Sequence, residues 1–402
     1  MCNNKSLSEI FKSGLDGYYY SIYNPEFSQN GKLPDIYKFL DSEYNAYRFI
    51  EFYSKHGGKD LLANCFEDII PNHKFNGKHR HTVALYYLGY HLKNILEPYL
   101  NKLYDVFLNS HISESGDNNK WNFCYTWFLT CLFHDTASCL EKHENNKKIK
   151  DNEKKLGNLN NYISNLQHKV FKHKFSNINE EKTFYYDEKT LKQYYKLNKN
   201  LRNEYEHGIL GGYTLFDKFI QMYNKAYDKY KEKNISENDS DVDSFILNEL
   251  IYSKKIIDHF AMVAQTIMCH NIWTVTKGID YIQRYEEAGL NKLIIGDGYE
   301  GKKINLKDKP LLFFLDLLDS IEPIKAFMDH DPHAVLENIF MDYNAEDKIL
   351  TIKSNPKMFC IKDYYKWVMK ILNMQNWMDI TVTKSEEFGL NKLEIQFNNV
   401  SD

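Results

Sequence analysis

The chain has 402 residues and a formal net charge of −4. That length allows a sizeable core and two or three domains at ~100–200 residues each, and the charge balance excludes a wholesale polyanion or membrane-surface binder. Aromatic residues make up 15%, with 31 Tyr and 25 Phe, and only 8 Pro interrupt long helical stretches, so a mainly α protein is expected.

Residues 1–75 read as short helices with turns. From Thr82 to about Phe107 apolar residues recur at three-to-four spacing, which predicts one long helix bent at Pro98. The loop HISESGDNNK follows, and then WNFCYTWFLTCLFHD, apolar on nearly every face and hence a central core helix. Residues 141–200 turn polar and Lys-rich, and read as a partly helical surface insertion or lid. EHGILGGYTLFDKFIQMYNKAY and residues 245–272 return to helical pattern. Residues 286–310 are loop-like, and PLLFFLDLLDSIEPIKAFM opens with Pro at a favoured helix-start position.

After about residue 334 the period changes. ENIFMDYN and KILTIKS predict a hairpin, IKDYYKWVMKILNM a helix, and DITVTK and KLEIQF two more strands. The expected organisation is a helical domain over 1–334, containing the 141–200 insertion, and a small α+β (ββαββ) domain over 335–402. EEAGLNKL at 286–293 is echoed by EEFGLNKL at 386–393, but the flanks differ and no repeat is inferred.

The Cys residues at 2, 65, 124, 131, 139, 269 and 360 form no CxxC pair, which suits a reducing cytosol. The first residues carry no apolar leader. The longest apolar run, 121–133, is too short for the ~20 residues of a membrane span. A cytoplasmic protein without a membrane partner is expected.

One stretch raises a chemical question: CLFHDTASCL places His134 and Asp135 side by side at the end of the most apolar segment. Burying both is unfavourable unless something pairs with them, and a metal ion pairs with both. His81, His207, His270 and Asp319 also sit on or at the end of separate helical segments, the pattern by which bundles build metal sites. Imidazoles and carboxylates without thiolates suit one or two divalent ions, Mn²⁺, Fe²⁺, Zn²⁺ or Mg²⁺. Each histidine taken singly reads more readily as a satisfied core or helix-terminal residue than as a ligand.

The ordered motifs HTVAL, LFHDTAS, EHGILGG, CHNIW and PLLFFLDLLDSIEP resemble those of the HD-domain superfamily of metal-dependent phosphohydrolases over roughly residues 75–330. The resemblance implies an HD-type helical bundle that hydrolyses a nucleotide or small phosphate ester, as a phosphohydrolase or phosphodiesterase, with a metal-activated water. It implies His81, His134, Asp135 and Asp319 as ligands of a first ion, and His207 and His270 joining a bridging Asp135 for a second. Asp316 is the rival to Asp319, and His79 the rival to His81. Catalytic roles fall to Asp135, His207 and Glu206, although Glu206 reads equally as a helix N-cap. Arg80, Arg202, Lys172 and Lys174 are the candidate phosphate contacts, each with a surface charge or cap as its alternative.

The Gly-Tyr-Pro motif of cyclic-dinucleotide members is absent after HDTASC, as is the Gly-His run of the dNTP triphosphohydrolases, so the subfamily stays open. The expected partner is a small phosphorylated molecule, foremost a nucleotide, with self-association allowed. No long basic stripe interleaved with aromatics supports nucleic acid. The alternatives are an HD-fold nucleotide sensor that binds without turnover, and a helical interaction scaffold whose histidines are structural.

Overall fold

The computed structural model describes residues 5–14, 78–99 apart from 97, 123–138, 186–202, 206–217, 254–275, 279–296 and 298–398. These are mostly helical, with one small antiparallel four-stranded sheet. In chain order the helices are α1 (Leu7–Gly14), α2 (Lys78–His91), α3 (Phe123–Phe133), α4 (Glu188–Arg202), α5 (within 207–217), α6 (Lys254–Cys269), α7 (Ile279–Glu287), α8 (Pro310–Ile321), α9 (Pro323–Ala326), α10 (Pro332–Glu337) and α11 (Ile361–Asn373). A two-residue parallel pair, β1 (Thr274–Val275) with β2 (Ile294–Ile295), lies between α6 and α8.

Helix α3 is the axis of the core because it has no polar face to turn outward. Trp127, Phe128, Leu129, Cys131 and Leu132 are all at most 1% exposed, and the helix packs between α2 and α6. The Trp127 Nε1–H donates to the Tyr86 carbonyl at 3.1 Å, and Gly89 lies flat beneath that indole, where any Cβ would fall within 2.0 Å of the ring. Helix α5 approaches just as closely. A Cβ on Gly212 would meet the Ala264 carbonyl of α6 at 2.3 Å, and one on Gly208 the His270 ring at 2.8 Å. Bare backbone on this face of α5 is what lets α5 and α6 bring their histidines together.

Helix α8 starts at Pro310 and is buried along almost its whole length. It stops because Pro323 disfavours helical backbone at Glu322. The Glu322 side chain then caps α9, accepting from the N–H groups of Ile324 and Lys325.

The C-terminal segment follows the predicted hairpin–helix–hairpin order: β3 (Ile339–Asn344), β4 (Ile349–Ser354), α11, β5 (Ile380–Glu387) and β6 (Leu390–Phe397). The sheet order is β3-β4-β6-β5, antiparallel throughout. Alternate residues such as Met341, Leu350, Ile352, Leu393 and Ile395 point inward, and so do Trp367, Val368 and Ile371 of α11. Phe313 meets Phe397 edge to face, and Trp367 Nε1–H donates to the Ile321 carbonyl, so this unit rests directly on α8.

Several expectations change. The helix predicted from Thr82 to Phe107 ends at His91, and the chain tightens into a 3₁₀ turn at Lys93–Ile95. From there hydrogen bonds run to the third residue back, as Ile95 to Leu92 and Leu96 to Lys93. Residues 100–107 lie outside the described residues. The end of the segment read as a surface insertion is the ordered helix α4, which buries Leu191, Tyr194 and Tyr195; residues 141–185 lie outside the described residues. The stretch read as loop-like holds the end of α7, a 3₁₀ turn at Asn291–Leu293 and β2. The two near-identical octapeptides adopt different structures, sharing only a left-handed glycine, Gly289 at φ 68° and Gly389 at φ 78°. EEAGLNKL closes α7, whereas EEFGLNKL makes the β5–β6 hairpin, with Phe388 and Gly389 at φ of 52° and 78°.

The glycine face makes a prediction. Gly212→Ala must push the α6 backbone away and lowers stability by about 1–3 kcal/mol, the usual penalty of overpacking. Urea denaturation of the two proteins measures it, and an unchanged midpoint would refute the close α5–α6 contact.

Candidate metal centre

His134 and Asp135 lie in the turn immediately after α3, beyond its last residue Phe133. Leaving the helix there aims the neighbouring side chains at different groups. His134 joins His81 of α2 and Asp319 of α8, and Asp135 joins His207 of α5 and His270, which follows α6. Within each trio the candidate ligand atoms lie within 4.8 Å of one another. Asp135 faces both trios, with Oδ1 3.2 Å from His207 Nε2 and Oδ2 3.7 Å from His134 Nε2. These buried His/Asp groups could hold a metal ion.

The ring orientations are set by hydrogen bonds that only one tautomer can make. His134 Nδ1–H donates to the Cys131 carbonyl at 2.7 Å, and His270 Nδ1–H to the Ile267 carbonyl at 2.7 Å. A carbonyl oxygen can only accept, so each Nδ1 carries a proton, and in the neutral ring Nε2 offers a lone pair. His81 Nδ1 is held in the same way by the Glu322 carboxylate at 2.6 Å. Such outer partners fix ring orientation and raise ligand basicity in metal sites.

The consequence is an unfavourable contact unless a cation is present. His81 Nε2 and His134 Nε2 lie 3.3 Å apart, and Asp319 Oδ1 lies 2.9 Å from the first and 3.7 Å from the second. Two lone pairs and a carboxylate oxygen converge, so a proton or a metal ion must sit against them. The donor set, four imidazoles and two carboxylates in two trios without a thiolate, has the chemistry to hold a divalent metal ion.

Electrostatics agree with that reading. Burial pushes the His270 imidazole down to about 3, with His207 and His134 adding to the effect, so it is neutral at physiological pH. Burial alone would raise Asp319, but the Lys325 and Lys370 ammonium groups, helped by His134 and His81, hold it well below the usual carboxylate range. Lys325 Nζ lies 2.8 Å from Asp319 Oδ1 and 3.8 Å from Asp135 Oδ2, and Lys370 Nζ lies 3.6 Å from Asp319 Oδ2. Burial works against a charge on Lys325, yet Asp135 and Asp319 raise its pKa and keep it protonated.

The remaining candidates divide. Asp319, not Asp316, stands with His81 and His134; Asp316 is buried one helical turn earlier. Glu206 is the N-cap of α5, its carboxylate accepting from Gly208 N at 3.2 Å and Ile209 N at 2.7 Å. It also accepts from Asn271 Nδ2 at 3.2 Å, an amide that lies 3.1 Å from both His207 Nε2 and His270 Nε2. Thr136 spends its hydroxyl on the Leu132 carbonyl. Lys172 and Lys174 lie outside the described residues, as do the side chains of His79, Arg80 and Arg202.

Sequence reasoning did not select Glu322, Lys325, Lys370 or Asn271. The usable signal for the first two was the capping Glu before Pro and a Lys one turn later, in DSIEPIK. Comparison of the chain with protein-family models, with curated proteins and with solved structures returned no match.

Two tests follow from this geometry. Because His270 is depressed in the folded protein, the unfolded chain binds more protons between about pH 6.5 and 3, and stability falls as pH drops through that range. In metal-free protein, the loss in melting temperature between pH 7.5 and pH 5 should be steeper for the parent than for His270→Asn; equal slopes would remove His270 as the cause. Glu322→Gln should lower Mn²⁺ affinity by roughly 10–100-fold, the usual effect of losing a carboxylate behind a ligating histidine. Isothermal titration measures that change, and unaltered affinity would dissociate Glu322 from the centre.

Proposed function

We propose that this chain is an HD-type metal-dependent phosphohydrolase acting on a small phosphate ester, with His81, His134, Asp135, His207, His270 and Asp319 as its metal ligands. The observation that carries the reading is the 3.3 Å approach of His81 Nε2 to His134 Nε2 beside Asp319, since such a cluster is relieved by a cation. The order of the ligands along the chain supports the HD assignment, with His134 and Asp135 at the end of one helix and each of the other four at the end or on the face of a different helix.

When bound, divalent ions supply positive charge for phosphoryl oxygens and make water acidic enough to attack near neutral pH. The chain's own residues do the rest. Asp135 and Asp319 give the anionic ligands, and the Nδ1 bonds of His81, His134 and His270 hold their rings in place. Lys325, with its side chain 36% exposed, and Lys370, at 46%, reach solvent beside Asp319 and can take the non-bridging oxygens of a phosphate. They add to Arg80, Arg202, Lys172 and Lys174, the phosphate contacts expected from sequence, whose side chains lie outside the described residues.

The test is metal content per chain by plasma mass spectrometry, together with hydrolysis of bis(p-nitrophenyl) phosphate in Mn²⁺. Two ions and turnover that disappears in Asp135→Asn are expected. One ion would reduce the centre to the His81–His134–Asp319 group with Asp135 and leave His207 and His270 as acid–base groups. Absence of bound metal after reloading with Mn²⁺ or Fe²⁺ would sink the enzymatic reading.

A further inference from the structure

A cavity of about 540 Å³ opens beside the candidate metal centre, lined in part by His270, Asp319, Lys325 and Lys370. That volume lies within the ~300–1,000 Å³ of pockets that take small organic ligands. Its walls come from three segments, and all three change chemistry in the same sense. After α6 the chain runs from His270 through Asn271 to Trp273. Along α8 the lining face steps back one turn from Asp319 to Asp316. Along α11 and the 3₁₀ turn that continues it, Lys370, Asn373 and Asn376 recur at threefold spacing and lead to Trp377. Each wall passes from ligand or cation to amide, acid or indole.

The far ends of two walls meet. Trp273 and Trp377 stack at 4.0 Å between ring centroids, with planes 6° apart. Trp273 Nε1 is buried with no hydrogen-bond partner among the described residues, and so is Asp316 Oδ2. Asp316 is only 3% exposed. Asn373 and Asn376 are exposed at the rim and make no side-chain hydrogen bond among the described residues. Unspent donors and acceptors around a stacked indole pair ask for a flat ligand with hydrogen-bonding edges.

Resting on the phosphohydrolase reading, we propose that the C-terminal ββαββ unit is the specificity element of the site: Asn373, Asn376 and Trp377, with Asp316 and Trp273, form a subsite for the heterocyclic base of a nucleotide whose phosphate lies at Lys325 and Lys370. The unit thereby has a function that its composition did not disclose, since α11 and the 3₁₀ turn that continues it furnish one of the phosphate-side cations and both rim amides.

The experiment is isothermal titration of the full chain, with Mn²⁺ present, using the four ribonucleoside 5′-monophosphates and ribose 5-phosphate. At least one nucleotide should bind about tenfold or more tighter than ribose 5-phosphate, as expected when a base stacks and pairs in a pocket. In the double variant Asn373→Ala/Asn376→Ala that ratio should fall toward one, and in isosteric Asp316→Asn the order of preference among the bases should change. A melting temperature near the parent's value shows that the exposed double variant folds. Equal binding of nucleotides and ribose 5-phosphate by the parent would overturn the proposal, as would ratios untouched by both variants. If discrimination persists while the parent never hydrolyses bis(p-nitrophenyl) phosphate, the base subsite stands and the hydrolase reading falls.

Discussion

Everything around the centre of this protein is organised by the need to satisfy buried groups that repel one another. His81 and His134 present lone pairs at 3.3 Å with a carboxylate alongside, and Asp135 adds a second buried acid, 3% exposed. In a low-dielectric interior such a cluster is tolerated only with compensating positive charge. Lys325 and Lys370 give part of that charge from the solvent-facing side. The Nε2 atoms of His81 and His134 face each other and the Asp319 carboxylate together.

Rigidity comes from the surrounding apolar framework. Helix α3 is fixed by Trp127 on Gly89, and α5 is pressed against α6 through Gly212 and Gly208. The histidines follow their backbones, since His134 and His270 each bond to a carbonyl three residues before them. Their positions therefore depend on helix packing more than on side-chain freedom.

The helical character, the central place of α3, the ββαββ order and the residues that converge were legible because each leaves a local mark: a run without a polar face, alternation, or a polar pair closing an apolar segment. What was not legible depends on partners distant in the chain. Glu322 announces itself only as a cap before Pro323, and it is one, but its bond to His81 spans 241 residues. Lys370 sits on an amphipathic helix whose pattern suggests a solvated charge. No periodicity links Trp273 to Trp377. The long helix predicted past His91 failed for the opposite reason: its apolar spacing continues locally, while its hydrogen bonds switch to a tighter turn.

That 241-residue span has a consequence for how the molecule assembles. Helix α2 and the α8–α9 junction must meet before the His81–Glu322 bond exists, so completing the cluster requires closure of a long and entropically unfavourable loop. An ion bound only by the completed cluster would then act as a latch on the whole chain, adding stability in proportion to the logarithm of its free concentration. The lifetime of the folded protein would be set by metal supply as much as by its apolar core.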